Sequence, residues 1–321
     1  MNELLLNISR WAILTFLVAS MVELGLTLTL AQVMAPLKNM QLVARSITAN
    51  FLVVPPLAVG VAKAMRLEEP FAVGLLLLAL APGAPFIPKV VQIARGNLTF
   101  AAGLMVLLMV GTAIDLPLLL PRMLVGVEID AWQIEQSLFL LMLLPLFIGL
   151  AVHAKFRSLP AWLLSSLGLI ANVSGLVVLV LIVVFNLQSV LKLFGTGAIF
   201  AGFVFVVLST FVGWLFGGSD RAIRHALGVG TGLRNVGAAL LIGAKNFNDP
   251  RVNVMVTGTA LVGLFILLPT ATALGRRAKA ATSLGSPNCA PNEILTTFYC
   301  SASAAKTYRR YENIALRCAC P

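Results

Sequence analysis

Long apolar runs follow one another along most of the chain, separated by short segments that carry most of its charged residues. Each run holds roughly 18 residues or more, the length that an α-helix needs to cross a bilayer. The pattern predicts an all-α, polytopic membrane bundle of about nine helices joined by short loops. The runs lie at about residues 11–35, 43–64, 70–95, 98–120, 136–154, 162–187, 194–216, 222–245 and 252–275.

The composition agrees with an integral membrane protein. Hydrophobic residues make up 59% of the chain and charged residues 11%, whereas soluble domains average about 25% charged residues. The net charge of +11 comes from basic residues scattered over the loops, so no nucleic-acid partner is expected. The lipid bilayer is the expected partner. The expected location is the plasma membrane, which is the cell inner membrane in a bacterium.

The distribution of basic residues predicts an orientation. Alternate loops hold most of the Lys and Arg, and the loops on the other side hold most of the acids. Because basic loops stay in the cytoplasm, we expect the amino terminus outside and the carboxyl terminus inside. Residues 1–280 then form the membrane domain, and residues 281–321 a cytoplasmic tail that we expect to be disordered. The tail holds all four cysteines, Cys289, Cys300, Cys318 and Cys320.

Two of the apolar runs are interrupted near their middle, at about residues 81–89 and 228–237. Proline lacks a backbone donor and glycine loosens a helix, so both segments are expected to contain non-helical backbone at membrane depth. Such backbone must be buried in protein or line a wet cavity. The break residues are Pro82, Gly83, Pro85 and Pro88 in the first run, and Gly228, Gly230 and Gly232 in the second.

The interrupted runs occupy equivalent places in two halves of the chain. If the run at about 136–154 is set aside, four runs precede it and four follow, and the interrupted member is third in each set. An odd number of crossings separates the sets, so the second half has the opposite orientation. This pattern indicates inverted repeats, in which paired interrupted helices point to the binding site of a secondary transporter.

Three ionisable residues were identified well inside apolar runs, Glu23, Lys89 and Arg234. Each costs roughly 2.5–3.5 kcal/mol at a helix centre, so each needs water, a partner or a ligand. Two cations against one carboxylate leave an excess positive charge, which an anionic substrate would offset. We therefore predict that Arg234 and Lys89 bind a small organic anion. Glu23 is either a counter-ion or a residue that couples proton movement to transport.

Neutral polar residues at the same depth extend the predicted substrate site. Thr231 and Asn235 lie within the second break, and Asn50 precedes the Pro55-Pro56 pair that is expected to bend the second helix. Such residues also form hydrogen bonds between membrane helices without touching a ligand. A structural role therefore stays open for each of them.

The sequence lacks the usual signatures of enzymes and metal proteins. His153 and His225 are far apart in sequence and have no HExxH, CxxC or GxSxG context, so no catalytic site, metal or cofactor is expected. A channel would need a continuous polar stripe along several helices, and the fourth, sixth and seventh runs are apolar. A non-transporting membrane sensor remains an alternative.

Four short elements, in their order and spacing, resemble the bile acid:sodium symporter family. The resemblance covers about residues 12–275. It implies a core domain with two crossed, discontinuous helices, a panel domain that moves against it, nine spans, and uptake of organic anions with sodium. The elements are Glu23-Leu24-Gly25-Leu26-Thr27-Leu28, Ala81-Pro82-Gly83, Ala94-Arg95-Gly96-Asn97 and Arg234-Asn235-Val236-Gly237.

At the positions that the resemblance assigns to sodium ligands, this chain mostly lacks hard oxygen donors. We therefore predict a sodium-independent carrier of a small organic anion, acting as a uniporter, an exchanger or a proton-linked transporter. In this hypothesis the fixed charges of Lys89 and Arg234 replace those of the ions. A sodium symporter with ligands at other residues is the alternative. The substituted positions are Ile87, Pro88, Ala101, Met105, Gly230 and Arg234, while Asn50 retains an amide.

Overall fold

The computed structural model of the protein describes residues 3–34, 36–123, 136, 139–156, 160–193 and 195–284. Contacts divide the chain into one compact unit, Met1–Ala278, and a second, Lys279–Pro321, of which only the end of the last helix is described. Within these residues the regular elements are helices, without a strand. Most of the predicted tail, with its four cysteines, lies outside the described residues.

The helices follow the apolar runs closely, and the predicted all-α membrane bundle is confirmed. Short π-helical turns at Thr48–Val53 and Phe139–Leu143 precede the fourth and eighth helices. The helices are α1 (Glu3–Thr27), α2 (Leu30–Met34), α3 (Met40–Ile47), α4 (Val54–Ala64), α5 (Glu69–Leu80), α6 (Ile87–Ile93), α7 (Leu98–Met123), α8 (Leu144–Lys155), α9 (Ala161–Leu193), α10 (Ala198–Phe216), α11 (Arg221–Gly232), α12 (Val236–Asn246) and α13 (Pro250–Leu284).

Among the described residues, four helical segments are long and apolar enough to cross a membrane: Met40–Ala64, Leu98–Leu116, Ala198–Phe216 and Pro250–Lys279. Shorter apolar helices account for the other runs: Leu14–Thr27, Glu69–Leu80, Phe139–Lys155, Trp162–Val177 and Val236–Asn246. The two interrupted runs correspond to the pairs α5–α6 and α11–α12. The number of crossings, nine, and the orientation stay predictions.

The long segment Met40–Ala64 contains a π-helical turn because of its two prolines. Pro55 and Pro56 have no N–H to donate to the carbonyls of Phe51 and Leu52, so the regular α-helical bonding is interrupted at this point. The helix widens at Thr48–Val53, as helices do where an extra residue is accommodated. The turn holds Asn50 fully buried.

The helices divide into two groups. One consists of α1, α8 and α9, in which α1 packs against both partners. The other contains α4 to α7 and α10 to α12, with contacts such as α10–α11, α4–α5 and α5–α12. We call these groups the panel and the core, after the division that the resemblance implies. Within the panel, Gly25 allows close approach, because a Cβ there would collide with the Leu146 carbonyl oxygen.

Candidate functional site

The two breaks meet inside the core. Pro82 and Arg234 pair as one antiparallel β-bridge, and the backbone N–H of Asn235 donates to the carbonyl oxygen of Ala81 at 2.7 Å. We call this meeting point, residues 81–84 and 233–235, the crossover. The predicted crossing of two discontinuous helices is therefore confirmed.

Side chains satisfy the remaining non-helical backbone of the crossover. Asn235 caps α12 by accepting from the N–H of Ala238 at 3.0 Å, and its Nδ2 lies 3.4 Å from the carbonyl oxygen of Gly83. Thr112 Oγ1 donates to the carbonyl oxygen of Pro82 at 2.9 Å. Since lipid offers no hydrogen bonds, these contacts make an irregular backbone tolerable at membrane depth.

Arg234 lies inside the crossover rather than on a surface. Its side chain is buried, with a residue exposure of 5%, and Nη1 donates to the carbonyl oxygen of Ala79 at 3.3 Å. The guanidinium carbon lies 6.0 Å from the centre of the Phe205 ring. Nε and Nη2 are buried without a hydrogen-bond partner in the described part of the chain. The crossover thus contains a fixed positive charge that no described carboxylate neutralises.

Asn50 and Thr231 form a buried link beside the crossover. Asn50 Nδ2 donates to Thr231 Oγ1 at 3.1 Å and to the carbonyl oxygen of Ser46 at 3.0 Å. Both linked side chains are fully buried. The bond ties the π-helical turn Thr48–Val53 to the broken helix α11, and Asn50 Oδ1 has no partner among the described residues.

Apolar side chains fill the space on the other side of α11. A Cβ added to Gly230 would meet Leu104 Cδ2 at 3.0 Å and Ile87 Cγ2 at 3.5 Å. Ile87, Ala101 and Met105 are completely buried. Three positions that the resemblance compares with sodium ligands therefore form a packed apolar cluster.

A cavity of about 280 Å³ lies between panel and core. It is bordered by α1 and α9 from the panel and by α6 and α7 from the core, together with the segment that follows the first break. We call this cavity the cleft. Its lining residues are Ser20, Glu23, Leu24, Thr27, Leu28, Pro85, Phe86, Pro88, Lys89, Gln92, Leu98, Thr99, Ala102, Ala171 and Asn172.

Lys89 is the cation of the cleft, and it lies between two helices of the panel. Its Nζ donates to Asn172 Oδ1 at 2.8 Å and lies 3.8 Å from Glu23 Oε2. The Lys89 side chain is 49% exposed and that of Glu23 20%. An ammonium in this position can attract a carboxylate or a sulfonate that enters the cleft.

The structure separates the predicted site residues into two places. Lys89 and Glu23 line the cleft, as do the break residues Pro85 and Pro88. The other predicted residues do not line the cleft: Arg234, Asn235, Thr231, Asn50, Pro82, Gly83, Gly228, Gly230 and Gly232 lie at or beside the crossover.

Sequence reasoning missed two residues. Asn172, which binds Lys89, is an amide near the middle of the apolar run at 162–187, and polarity at mid-run was the available signal. Asp115 lies in α7 with Oδ2 buried and without a partner in the described chain. The count of three interior ionisable groups was therefore wrong, and the balance is two cations against two acids.

Among the described residues no three His, Cys, Asp or Glu side chains form a metal site.

Comparison with known proteins identifies relatives. The profile of the Sodium Bile acid symporter family matches residues 14–193. The probable sodium/metabolite cotransporter BASS2, chloroplastic, of Oryza sativa subsp. japonica is 26% identical over 242 residues, 73% of this chain and 57% of that protein. The probable sodium/metabolite cotransporter BASS1, chloroplastic, of Arabidopsis thaliana is 24% identical over 269 residues, 80% of this chain and 67% of that protein. The chain thus spans 57% and 67% of the lengths of these relatives.

Proposed function

The chain belongs to the Sodium Bile acid symporter family, whose members are membrane transporters, and on that premise we propose that it carries a small organic anion by alternating access without bound sodium. The observation that carries the proposal is the position of Lys89, an accessible ammonium in a cleft that borders one of two crossed, broken helices. Paired broken helices are where secondary transporters bind their substrates.

The size and lining of the cleft support a small, partly apolar anion. About 280 Å³ is near the lower end of the range of ligand pockets, roughly 300–1,000 Å³. Lys89 supplies the charge, and Thr27, Gln92 and Thr99 supply neutral hydrogen-bonding groups. Leu24, Leu28 and Phe86 would contact the apolar part of the substrate.

The position of the cleft supports alternating access. Its walls come from two groups of helices, panel and core, so a movement of one group against the other would open it to one side of the membrane and close it to the other. Phe16 of the panel and Phe86 of the core stack with ring centres 5.2 Å apart. This stack is one contact that such a movement must break.

The absence of sodium in the proposal follows from two features of the core. The cluster of Ile87, Ala101 and Met105 offers no oxygen ligands, whereas sodium, a hard cation, prefers oxygen. Within the crossover, the buried guanidinium of Arg234 would repel a cation. Its fixed charge is proposed to replace the charge of an ion.

A second candidate is a sodium-coupled carrier whose ligands lie elsewhere. The names of the two plant relatives favour it, since both are sodium/metabolite cotransporters by name. Buried oxygens without a hydrogen-bond partner in the described chain also favour it, because such atoms can bind a cation. These oxygens are Asn50 Oδ1, Asp115 Oδ2, Asn253 Oδ1 and Thr259 Oγ1.

Sodium substitution separates the two candidates. We would measure the thermal stabilisation of purified protein by a panel of small carboxylates and sulfonates, first in sodium chloride and then in choline chloride. The proposal expects the same shift in Tm in both salts. A shift that requires sodium would favour the second candidate, and no shift with any anion would contradict an anion site.

The plasma membrane is proposed as the location, and fluorescence microscopy of a tagged chain tests it.

A further inference from the structure

Glu23 and Lys89 face each other across the cleft, one from the panel and one from the core. Their separation of 3.8 Å is longer than a hydrogen bond, while Lys89 makes its short contact, 2.8 Å, with Asn172. No hydrogen bond from the described residues reaches the Glu23 carboxylate. The Lys89 ammonium therefore has N–H donors available for another anion. At this distance the Glu23 carboxylate is only a weak counter-ion for it.

We propose that the substrate anion displaces the Glu23 carboxylate from its position beside Lys89, and that Glu23 takes up one proton when it is displaced. The carrier would then move one proton with each monovalent anion. This inference rests on the proposed function and names the coupling ion of the same site.

The charges in the cleft favour such an exchange. Without ligand, the carboxylate of Glu23 and the ammonium of Lys89 sum to zero. A bound anion would place two negative charges beside one ammonium, in a site where two panel helices limit contact with water. Like charges at short distance favour protonation of a carboxylate. With Glu23 neutral, the anion and Lys89 again sum to zero, so the empty and loaded clefts carry the same charge.

The surroundings of Glu23 allow its side chain to move away from Lys89. The carboxylate lies against Gly168 of α9, where an added Cβ would be only 2.9 Å from Oε1. The side chain is 20% exposed, so a proton can reach it through the cleft. A glutamate that held the helices together would instead be expected to bond directly to its partners.

Other titratable groups on the neighbouring helices do not pair with Glu23. From α8, His153 contacts the carbonyl oxygen of Leu26 through Nδ1 at 2.5 Å, and Lys155 lies over the Phe156 ring at 5.8 Å. Arg95 follows α6, and Asp115 on α7 does not line the cleft. The described side chains of α9 carry no charge. Within the described residues, Lys89 is the charge that Glu23 faces.

The test uses benzenesulfonate, because a sulfonate stays ionised and any proton taken up must go to the protein. Calorimetry and an indicator dye in weak buffer would measure probe binding and proton uptake by the full chain. We expect about one proton per bound probe at neutral pH. We also expect an affinity that rises about tenfold for each unit of falling pH until Glu23 is protonated.

Single substitutions identify the residue that takes up the proton. Glu23→Gln should bind the probe without proton uptake and with an affinity independent of pH. Lys89→Met should abolish binding. His153→Asn is the matched control, since it removes the imidazole of the neighbouring helix α8, which contacts the carbonyl oxygen of Leu26 instead of Glu23, and it should keep the proton uptake of the wild type. In liposomes, an inward proton gradient should drive accumulation of the probe, and a potassium diffusion potential should leave its uptake unchanged.

The outcomes distinguish this inference from the proposed function. Probe binding by the wild type without proton uptake would overturn the proton site and leave an anion carrier standing, and this measurement needs no variant to fold. Uptake driven by the membrane potential would also overturn it. Absence of probe binding at every pH, in the wild type and in Glu23→Gln, would overturn both. Benzenesulfonamide, which has the same ring and no charge, should not bind in either case.

Discussion

Asn50 Nδ2 donates a hydrogen bond of 3.1 Å to Thr231 Oγ1 across 181 positions of the sequence. One partner lies in a π-helical turn and the other in the last turns of a broken helix. Both side chains are buried, so water cannot replace the bond if it is lost. The contact connects the long segment Met40–Ala64 to the broken helix α11, beside the crossover.

Replacement of Asn50 by Ala should therefore destabilise the core. We expect a loss of about 1 kcal/mol, the usual size of a side-chain hydrogen bond between membrane helices, with an orphaned Thr231 hydroxyl as part of the cost. Thermal unfolding in detergent measures it. Asn246→Ala is the matched control, because within the described part of the chain the Asn246 side chain bonds only to the Ile242 carbonyl of its own helix. Equal changes in Tm for the two variants would contradict a special role for Asn50.

Arg234→Met should reduce transport while leaving the fold intact. The variant removes a buried charge that has no carboxylate partner in the described chain, so the Tm is expected to stay the same or to rise. If the charge belongs to the transport mechanism, initial uptake of benzenesulfonate into liposomes should fall about tenfold or more, since a charged hydrogen-bonding group contributes about 1.5–3 kcal/mol.

The control for that experiment is Arg251→Met. Arg251 forms exposed contacts with Asp249 and Glu68, and exposed ion pairs contribute little to stability. This variant should match the wild type in both Tm and uptake. Normal uptake by Arg234→Met would remove Arg234 from the mechanism, whereas a large fall in its Tm would indicate a purely structural role.

Gly83→Ala should disturb the crossover itself. Gly83 has φ of +90°, and a Cβ there would lie 2.7 Å from the backbone nitrogen of Met109. Both the backbone conformation and the contact exclude a side chain, so we expect a loss of about 1–3 kcal/mol or more, read as a lower Tm. A Tm equal to that of the wild type would show that the first break has a different conformation.

Gly60→Ala provides the comparison. Gly60 lies in α4, and a Cβ there meets nothing within 4 Å. Alanine is favoured over glycine inside a helix by about 0.5–1 kcal/mol. The Tm of this variant should therefore be unchanged or slightly higher, opposite in sign to the effect at Gly83.

Crosslinking of Phe16 to Phe86 should stop transport. In a background without the four native cysteines, both residues are changed to Cys and joined by a short, reducible bis-thiol reagent. Because the pair connects panel and core, uptake should fall to background after crosslinking and return on reduction. Full uptake by the crosslinked protein would show that the two groups do not need to separate here.

The control pair is Phe200 and Phe203. Their rings also stack, with centres 6.2 Å apart, but both residues belong to α10. A crosslink within one helix restrains no movement between groups of helices. Uptake should therefore be unaffected by the same reagent and the same chemistry.

Local properties of the sequence are sufficient to predict the membrane bundle, the two breaks and their equivalent places in the two halves. These features depend on local properties: the length of an apolar run, the missing N–H of proline and the weak helix preference of glycine. Pro82 and Gly83 thus mark the first break without any knowledge of distant contacts. Asp115 is also an acid within the apolar run at 98–120, so the sequence is sufficient to place it among the interior ionisable residues.

The positions of the two interior cations depend on packing that local sequence properties do not reveal. Lys89 and Arg234 both flank breaks, and the sequence analysis predicts that they bind the same anion at one site. In the structure, Arg234 is enclosed where the broken helices cross, and Lys89 turns to the panel, where it meets Glu23 and Asn172. The direction of a side chain from a short helix depends on the rotation of that helix and on its neighbours. Both are set by packing between segments that are far apart in the chain.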